Sequence, residues 1–439
     1  METIMPVIVN SFRYSAIVFA LAASTASHAQ PQLPPPADPL ALGIMQGFPP
    51  AADKTVTLAN VLRYPSGSWA FHNMRQLVPN VSVWRGDKGP SALASEARNL
   101  DTLVVRSVDT AITLAEWQKS TYTDAVLVLH NGKVVYERYY NGMNAQTPHS
   151  MWSLTKSMVG LLATVLIKEG KLDPNAKIPQ YLPELASSGW ADATLQQTLD
   201  MTTGLQYREV FTDPKAEIFQ YIIAAGLLPA PPNYPGPKSM LEYLKTVKKD
   251  GEHGEGFRYK SVDVEVLGWV IQRVTGKSFS DLVSERLWSK LAAQEDGYVL
   301  ADPVGSQITS IGMNATLRDL GRLGEMLRQD GRFNGQQVVA KEVVDEIRKG
   351  ADREKFKASG QALRAGYSYH NNFWITHNAA GAYEMKGLNG QHVHINPSAG
   401  VVIVKLSSHP AGETIFTHVV DQRAFEAIAK AVGRSARAN

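Results

Sequence analysis

Strand patterns that lie far apart in the chain restrict the fold more than any other feature of the sequence. Segment 124–140 consists of two β-rich runs on either side of Asn131-Gly132, a pair typical of a two-residue hairpin turn. Further strand patterns occur at 391–396 and 401–407, and the residues between are mainly helical in pattern. The sequence therefore predicts an antiparallel sheet that is completed by segments distant in the chain.

The intervening helical patterns predict a mixed α/β (α+β) fold, in which helices flank the sheet and a helical subdomain is inserted. Apolar residues favour helices at 153–170, 262–274, 279–291 and 419–432, and Thr316-Leu317-Arg318-Asp319 resembles a capping box. The predicted parts are a signal peptide (1–29), a Pro- and Ala-rich tether (30–54), an N-terminal part of the sheet domain (55–150), the helical subdomain (151–310) and a C-terminal part of the sheet domain (311–439).

The first residues have the pattern of an export signal. Arg13 precedes an apolar stretch, 14–26, and Ser27-His28-Ala29 offers small residues before a cut after Ala29. The alternative is an uncleaved anchor, but the stretch is shorter than the ~20 residues that span a bilayer. We therefore expect a periplasmic or secreted protein with no stable membrane span after signal removal.

Composition excludes several classes of protein. The formal net charge is only +3 over 439 residues and no dense run of Lys or Arg occurs, so nucleic acid is not an expected partner. The absence of cysteine excludes disulfides, thiol catalysis and thiolate metal sites. A small-molecule substrate is expected, no cofactor is predicted, and the oligomeric state stays open.

A serine and a lysine one helical turn apart are the first candidates for catalysis. The sequence contains one Ser-x-x-Lys, Ser153-Leu154-Thr155-Lys156, at the start of the predicted helix 153–170. Positions i and i+3 share a helix face, so the Lys156 amine can reach the Ser153 hydroxyl. The alternative is a serine cap followed by a surface lysine. The apolar neighbours of Lys156 favour burial, which would lower its pKa toward the range of a base.

Tyr259 is the second candidate for handling protons. It lies between a glycine-rich turn and the predicted helix 262–274, in Tyr259-Lys260-Ser261. A phenol beside Lys156 would titrate jointly with the amine and act as a proton shuttle. Taken alone, the motif is equally typical of a tyrosine packed at a turn.

Several blocks in order resemble class C β-lactamases and their esterase and amidase relatives. They are 149–157 (HSMWSLTKS), 168–173 (KEGKLD), 181–185 (YLPEL), 194–205 (TLQQTLDMTTGL) and 259–269 (YKSVDVEVLGW). The last block most resembles the 6-aminohexanoate-dimer hydrolases. The resemblance covers about 124–408 and implies a β-lactamase-like fold.

The resemblance implies a role for each matching residue. Ser153 matches the nucleophile, Lys156 the general base and Tyr259 the proton-relay tyrosine. Ser261 stands where β-lactamases usually have asparagine, which weakens the antibiotic interpretation.

A Lys-Thr-Gly or His-Thr-Gly strand, the third element of that family, has no direct counterpart here. Its nearest equivalent is 386–391 (KGLNGQ), and likeness to the hexanoate-oligomer hydrolases assigns the backbone N–H groups of Leu388 and Ser153 to an oxyanion hole. Asn389, Ser261 and Asp213 are candidate substrate contacts, although an Asp-Pro turn explains Asp213 equally well.

Other chemistries find less support in the sequence. The Gly-x-Ser-x-Gly motif of the α/β-hydrolases is absent. His392 and His394 lie on one face of a strand, yet no third ligand is evident, and no metal is predicted. His149 and Trp152 are interpreted as structural.

These features predict an exported serine hydrolase that cleaves small amides or esters through an acyl-enzyme on Ser153, of the 6-aminohexanoate-oligomer hydrolase or carboxylesterase type. A β-lactamase or D-alanyl-D-alanine peptidase is the alternative within the same chemistry. A catalytically weak binding or sensor protein is the alternative of another class.

Overall fold

The computed structural model describes residues 33–106, 110–412 and 415–434, and the predicted signal peptide, 1–29, lies outside them. The strands are β1 (Asn80–Val83), β2 (Val104–Arg106), β3 (Ala111–Thr113), β4 (Thr123–His130), β5 (Lys133–Tyr139), β6 (His149–Ser150), β7 (Gly297–Leu300), β8 (Met313–Ala315), β9 (Arg332–Phe333), β10 (Gln336–Gln337), β11 (Ser368–His370), β12 (Phe373–Ile375), β13 (Tyr383–Gly387), β14 (Gln391–Asn396) and β15 (Val401–Ser407).

The helices are α1 (Ser66–Asn73), α2 (Leu114–Ser120), α3 (Leu154–Lys168), α4 (Ile178–Tyr181), α5 (Leu195–Leu199), α6 (Ile218–Ala224), α7 (Met240–Thr246), α8 (Ser261–Thr275), α9 (Phe279–Val283), α10 (Ser289–Leu291), α11 (Leu317–Arg328), α12 (Lys341–Lys349), α13 (Arg353–Lys357) and α14 (Ile415–Arg434).

A seven-stranded antiparallel sheet forms the centre of the fold, in the order β11-β12-β13-β14-β15-β4-β5. Strand β15 pairs with β4, so that Val401 lies opposite His130. The predicted closure of the sheet by distant segments is therefore confirmed. Asn131 and Gly132 join β4 to β5 with φ values of 49° and 80°, the left-handed pair that a type I′ hairpin turn requires.

The central strands are buried on both faces because helices cover the sheet on each side. Every residue of β4 is buried. On one face Val126 and Val128 pack with Trp117 and Phe425 from α2 and α14. On the other face alternate residues such as Leu127 contact the layer that contains α3 and α11. Burial on both faces explains why β4 has a continuous apolar pattern.

A second antiparallel sheet, in the order β1-β7-β8-β6, lies beside the first and was not predicted. Its strands β6 and β8 have two and three residues, which is too short for an alternating pattern to be recognised. The sheet joins all three predicted parts of the folded chain, since β7 belongs to 151–310. Its strand β6 leads directly into Ser153.

The helix predictions hold where a glycine ends the helix. Helix α3 is followed by Gly170 at φ 70°, and α8 ends at Gly276 with φ 66°. The predicted helical segment 279–291 is helical throughout, and a π-helical segment, Ser284–Trp288, separates α9 from α10 within it.

Thr316 caps α11 as predicted, accepting from the backbone N–H of Asp319 at 3.3 Å. The reciprocal half of the predicted capping box is absent at this helix. The Asp319 carboxylate instead accepts from the backbone N–H groups of Gln294 (2.7 Å) and Glu295 (3.1 Å). Asp319 therefore fixes the segment before β7 to the start of α11.

The described part of the predicted tether, residues 33–54, lies against the folded chain. The Tyr64 hydroxyl donates to the carbonyl of Pro35 at 2.7 Å, and Ile44 is buried in the main core. Ordered packing thus begins before Thr55. Within the described ranges, no helix is both long and apolar enough to cross a bilayer.

Candidate active site

A sharp turn presents Ser153 at the start of α3. Trp152, the preceding residue, has φ 47°, a left-handed conformation that a bulky residue rarely adopts. Its ring packs edge-on against Phe71, with ring centroids 5.2 Å apart. The turn redirects the chain from β6 into the helix and leaves Ser153 at the wall of a cleft.

Helix α3 is held rigidly behind the serine. The Thr155 hydroxyl accepts from the backbone N–H of Met313 at 3.1 Å, and the Ser157 hydroxyl donates to the carbonyl of Asn372 at 2.7 Å. A Cβ on Gly160 would lie 1.9 Å from the carbonyl oxygen of Asn371, so only glycine permits this approach. The helix is therefore tied to β8 and to the turn between β11 and β12.

The Lys156 amine lies buried next to the Ser153 hydroxyl. Its Nζ is 2.9 Å from Ser153 Oγ and donates to the carbonyl of Ser310 at 3.2 Å. Burial lowers the pKa of Lys156 to about 8, although the negative charges of Glu209 and Glu265 act in the opposite direction. This corresponds to a preference of about 3 kcal/mol for the neutral amine, relative to a lysine in water.

Tyr259 reaches the same serine from the start of α8. Its hydroxyl is hydrogen-bonded to Ser153, and its ring stacks on Trp374 with centroids 5.8 Å apart. Burial, with a contribution from Glu209, raises the pKa of Tyr259 well above its usual value. The phenol therefore keeps its proton across the neutral pH range. The structure thus brings together all three residues that the sequence nominated.

A buried network beneath the lysine was missed by the sequence analysis. Tyr221 donates to Glu265 at 2.8 Å, and Glu265 accepts from the backbone N–H groups of Thr309 and Ser310, both at 2.9 Å. These bonds fix the Ser310 carbonyl that faces Lys156. A charged residue on the apolar face of α8 was the available sequence signal for Glu265.

Glu209 is a second carboxylate that the sequence did not single out. It lines the cleft and accepts a hydrogen bond from the backbone N–H of Ser261, the first residue of α8. A carboxylate at a helix N-terminus is stabilised by the exposed N–H groups there. Glu209 lies in a loop without periodic pattern, so only the folded structure reveals its place beside Lys156 and Tyr259.

Leu388 lies on the cleft wall opposite the start of α3. It follows Gly387, the last residue of β13, at which a Cβ would be 2.5 Å from the carbonyl oxygen of Met151. The absence of a side chain at Gly387 therefore permits the close approach of β13 to the turn before Ser153. This approach brings Ser153 and Leu388, whose N–H groups are the predicted donors of the oxyanion hole, into the lining of the same cleft.

The three predicted substrate contacts have different positions. Ser261 lines the cleft, whereas Asp213 and Asn389 lie outside its lining. Asp213 accepts from Arg208 at 2.8 Å and from the Lys215 backbone N–H at 2.9 Å. These bonds agree with the Asp-Pro turn that the sequence offered as the alternative. Asn389 is buried at φ 61°, and its side-chain amide donates to the His409 carbonyl.

His392 and His394 pair with separate carboxylates and do not share a ligand set. His392 Nε2 is 3.3 Å from Asp421, and His394 Nδ1 is 2.8 Å from Glu384. Both pairs are buried at the interface between the large sheet and α14. They stabilise the layer behind the cleft.

The cleft has a volume of 630 Å³ and mainly apolar walls, which combine aliphatic and aromatic side chains. Its apolar lining includes Val61, Leu62, Val210, Phe211, Ile218, Ile222, Leu227, Leu228 and Ile311. Glu209 contributes a carboxylate to the same walls, and Arg208, Arg258, Arg364 and Lys386 contribute cationic side chains. An extended aliphatic chain with a polar group at the serine fits this lining.

The fold and this site define a hydrolase of the β-lactamase type. The family model described as Beta-lactamase matches residues 100–424. The chain is 34% identical over 373 residues to the 6-aminohexanoate-dimer hydrolase of Paenarthrobacter ureafaciens. The aligned residues cover 84% of this chain and 93% of that relative. This protein belongs to the Beta-lactamase family.

Two further comparisons agree with this assignment. A solved structure from Bacillus anthracis, assigned as a 6-aminohexanoate-dimer hydrolase, has a TM-score of 0.81 and 32% identity, covering 88% of this chain and 99% of that one. Esterase EstB of Burkholderia gladioli is 23% identical over 227 residues, covering 49% of this chain and 55% of that relative. The β-lactamase-like fold predicted from the sequence is therefore confirmed.

The pH dependence of activity tests the electrostatics of this site. We expect kcat/KM for a neutral nitrophenyl ester to rise with pH through an apparent pKa near 8, because Lys156 must lose its proton before it can accept one. Glu209→Gln removes a negative charge that raises the pKa of Lys156, so the rise should move to lower pH by roughly 0.5–1 unit.

The control for this experiment is Glu252→Gln, which neutralises a carboxylate that is 74% exposed and outside the cleft lining. Its profile should coincide with that of the wild type. An unchanged midpoint in Glu209→Gln would show that Glu209 does not act on the group that limits the reaction.

Proposed function

We propose that this chain is an exported serine hydrolase that cleaves small linear amides or esters through an acyl-enzyme on Ser153. The observation that carries the proposal is the contact of one hydroxyl with two proton-handling groups. Ser153 is within hydrogen-bonding reach of the Lys156 amine, whose pKa is lowered, and of the Tyr259 phenol, whose pKa is raised. A lowered pKa at one group and a raised pKa at its neighbour are typical of a general base and a general acid that act together.

The first half of the reaction forms the acyl-enzyme. Neutral Lys156 accepts the hydroxyl proton of Ser153 as Oγ attacks the carbonyl carbon, and the N–H groups of Ser153 and Leu388 stabilise the oxyanion. The intermediate collapses when the bond to the leaving group breaks. Tyr259 donates its proton to the leaving nitrogen or oxygen and takes a replacement from protonated Lys156.

The second half releases the acid product. Water replaces the leaving group in the cleft and gives its proton to the base as it attacks the ester carbonyl. Ser153 leaves as an alcohol with its proton restored, so the enzyme returns to its starting state. No atom beyond the substrate, water and these side chains is required.

The lining of the cleft favours a linear aliphatic substrate with charged ends. The walls are mainly apolar, and Glu209 and Arg364 act on the pKa of Tyr259 with opposite sign, so both charges lie near the reacting groups. The ammonium and carboxylate ends of an aminohexanoate oligomer complement such a cleft. The relative that is 34% identical is named as a hydrolase of this dimer, which supports the same substrate class here.

A substrate panel with Ser153→Ala as the blank tests the proposal. The panel contains the linear aminohexanoate dimer, short nitrophenyl esters, a chromogenic cephalosporin and a D-alanyl-D-alanine peptide. We expect multiple turnovers of the dimer or the esters, a loss of at least ~10³-fold in Ser153→Ala, and an unchanged melting temperature.

Other outcomes of the panel distinguish the alternatives. Preferential turnover of the cephalosporin or the D-peptide would replace the proposed substrate class. A single stoichiometric burst without turnover would indicate the weakly catalytic binding protein. Full activity in Ser153→Ala would remove this serine from the mechanism.

Tyr259→Phe should separate amide from ester cleavage. An amide leaves as a basic amine that must be protonated in the transition state, whereas nitrophenolate leaves without that help. We therefore expect kcat/KM to fall at least ~10²-fold more for the aminohexanoate dimer than for the nitrophenyl ester.

Tyr181→Phe is the matched control, since its hydroxyl binds the Asp173 backbone away from the cleft. It should leave the amide-to-ester ratio unchanged. An equal fall for both substrates in Tyr259→Phe would assign this tyrosine to nucleophile activation and not to leaving-group protonation.

The export part of the proposal is supported by the pattern of residues 1–29. Expression of the full chain in a bacterium should yield a periplasmic protein whose intact mass corresponds to a chain that begins at Gln30. A mature mass that retains Met1 and a cytoplasmic location would contradict cleavage after Ala29.

A further inference from the structure

Three potential ligand side chains meet away from the cleft. They are His72 of α1, Asp124 of β4 and His149 of β6, and one donor atom of each lies within 4.8 Å of the others. His149 Nε2 is 3.1 Å from Asp124 Oδ2, and His72 Nε2 is 3.8 Å from the same oxygen. The side chain of His72 is 6% exposed and the other two are fully buried.

The hydrogen bonds of His149 identify its tautomer. Its Nδ1 is 2.8 Å from the Ser150 carbonyl oxygen, which only accepts, so Nδ1 carries the proton. In the neutral ring Nε2 then directs a lone pair at the Asp124 carboxylate. His72 Nε2 forms no hydrogen bond within the described part of the chain. Two imidazole nitrogens and a carboxylate oxygen thus converge, and the His149 nitrogen among them carries a lone pair.

We propose that this cluster is a binding site for a divalent transition-metal cation. A proton bridges only two of the atoms, whereas a metal ion coordinates all three. A point about 2.4 Å or less from every donor exists for this triangle, close to the roughly 2.0–2.2 Å of zinc bonds to imidazole and carboxylate. Two histidines and one aspartate form a nitrogen and oxygen ligand set that suits zinc.

Groups around the cluster hold the ligands in place. Asp124 Oδ1 accepts from Asn141 Nδ2 at 2.6 Å and from the Ser408 hydroxyl at 3.1 Å, which leaves Oδ2 for the cation. The Ser150 carbonyl orients His149 in the same way. Such partners behind the ligands are typical of metal sites in proteins.

The cation would join three chain segments that precede the nucleophile. Phe71, next to His72, packs against both His149 and Trp152, with ring centroids 6.0 and 5.2 Å apart. The site would therefore stabilise the turn that presents Ser153 without taking part in the reaction. It does not rest on the proposed substrate. Neither the sequence nor its family resemblance predicted a metal at this cluster.

Zinc is the probe for the experiment. Full-length mature protein is treated with a chelator, desalted, incubated with one to several equivalents of zinc and desalted again, and metal is counted by mass spectrometry. We expect about one zinc per chain and a rise of about 3 °C or more in melting temperature. Absence of retained zinc would overturn the site.

Two variants make the test specific. His72→Asn removes one ligand whose Nε2 has no hydrogen bond in the described chain, so the variant should fold but lose zinc and the thermal shift. His253→Asn alters a histidine outside the cluster, which pairs with Asp192 and accepts from the backbone N–H of Gly204, and this variant should keep both the zinc and the thermal shift. Zinc retained equally by His72→Asn, or an NMR spectrum with both His149 nitrogens still protonated in zinc-treated protein, would also overturn the proposal.

Discussion

The buried amine of Lys156 is the constraint on which the site depends. Among the described residues its hydrogen bonds go to two neutral oxygens, Ser153 Oγ and the Ser310 carbonyl, while the carboxylates of Glu209 and Glu265 act from farther away. An ammonium in this position is costly, so the environment favours the neutral base. The fold must hold that environment dry and rigid. The contacts of α3 with β8 and with the turn before β12 perform this task.

The active site also depends on completion of the large sheet. Ser153 and Leu388 are separated by more than half the chain, and they meet because β13 approaches the turn at Met151 through Gly387. That approach requires β13 to be in register with β14, β15 and β4. A partly assembled sheet would therefore contain the Ser-Lys pair of α3 but no second wall for the cleft.

The sequence predicted those parts of the fold that depend on local pattern. The hairpin at Asn131-Gly132, strands β14 and β15, and helices α3 and α8 follow from periodicity and turn chemistry. The four-stranded sheet did not, because two- and three-residue strands have no period and form only when neighbours are in place. The π-helical segment at 284–288 is likewise a tertiary effect.

The sequence likewise predicted those parts of the site that depend on local spacing or family resemblance, and missed those that depend on distant contacts. Ser153 and Lys156 are neighbours on one helix turn, so spacing alone suggested their contact. Tyr259 was placed beside them by family resemblance. Glu209 and the His72 cluster depend on side-chain directions in loops and on contacts between distant elements. Asp213 forms the local turn that its Asp-Pro sequence offered as the alternative, whereas the bond of Asn389 to the His409 carbonyl, 20 residues away in the chain, has no signal in the sequence.

The position of Glu209 also bears on the antibiotic interpretation, which Ser261 weakens. β-Lactam antibiotics carry a carboxylate, and a second carboxylate about 6 Å away would oppose it by about 3 kcal/mol at an effective dielectric constant of about 20. Arg208, Arg258, Arg364 and Lys386 also line the cleft and offset this repulsion for an anionic group bound beside them. A substrate that brings an ammonium to Glu209 and a carboxylate to Arg364 satisfies both charges. The helix N-terminus at Ser261, where β-lactamases usually have asparagine, instead binds Glu209 and so holds a carboxylate in the lining of the cleft.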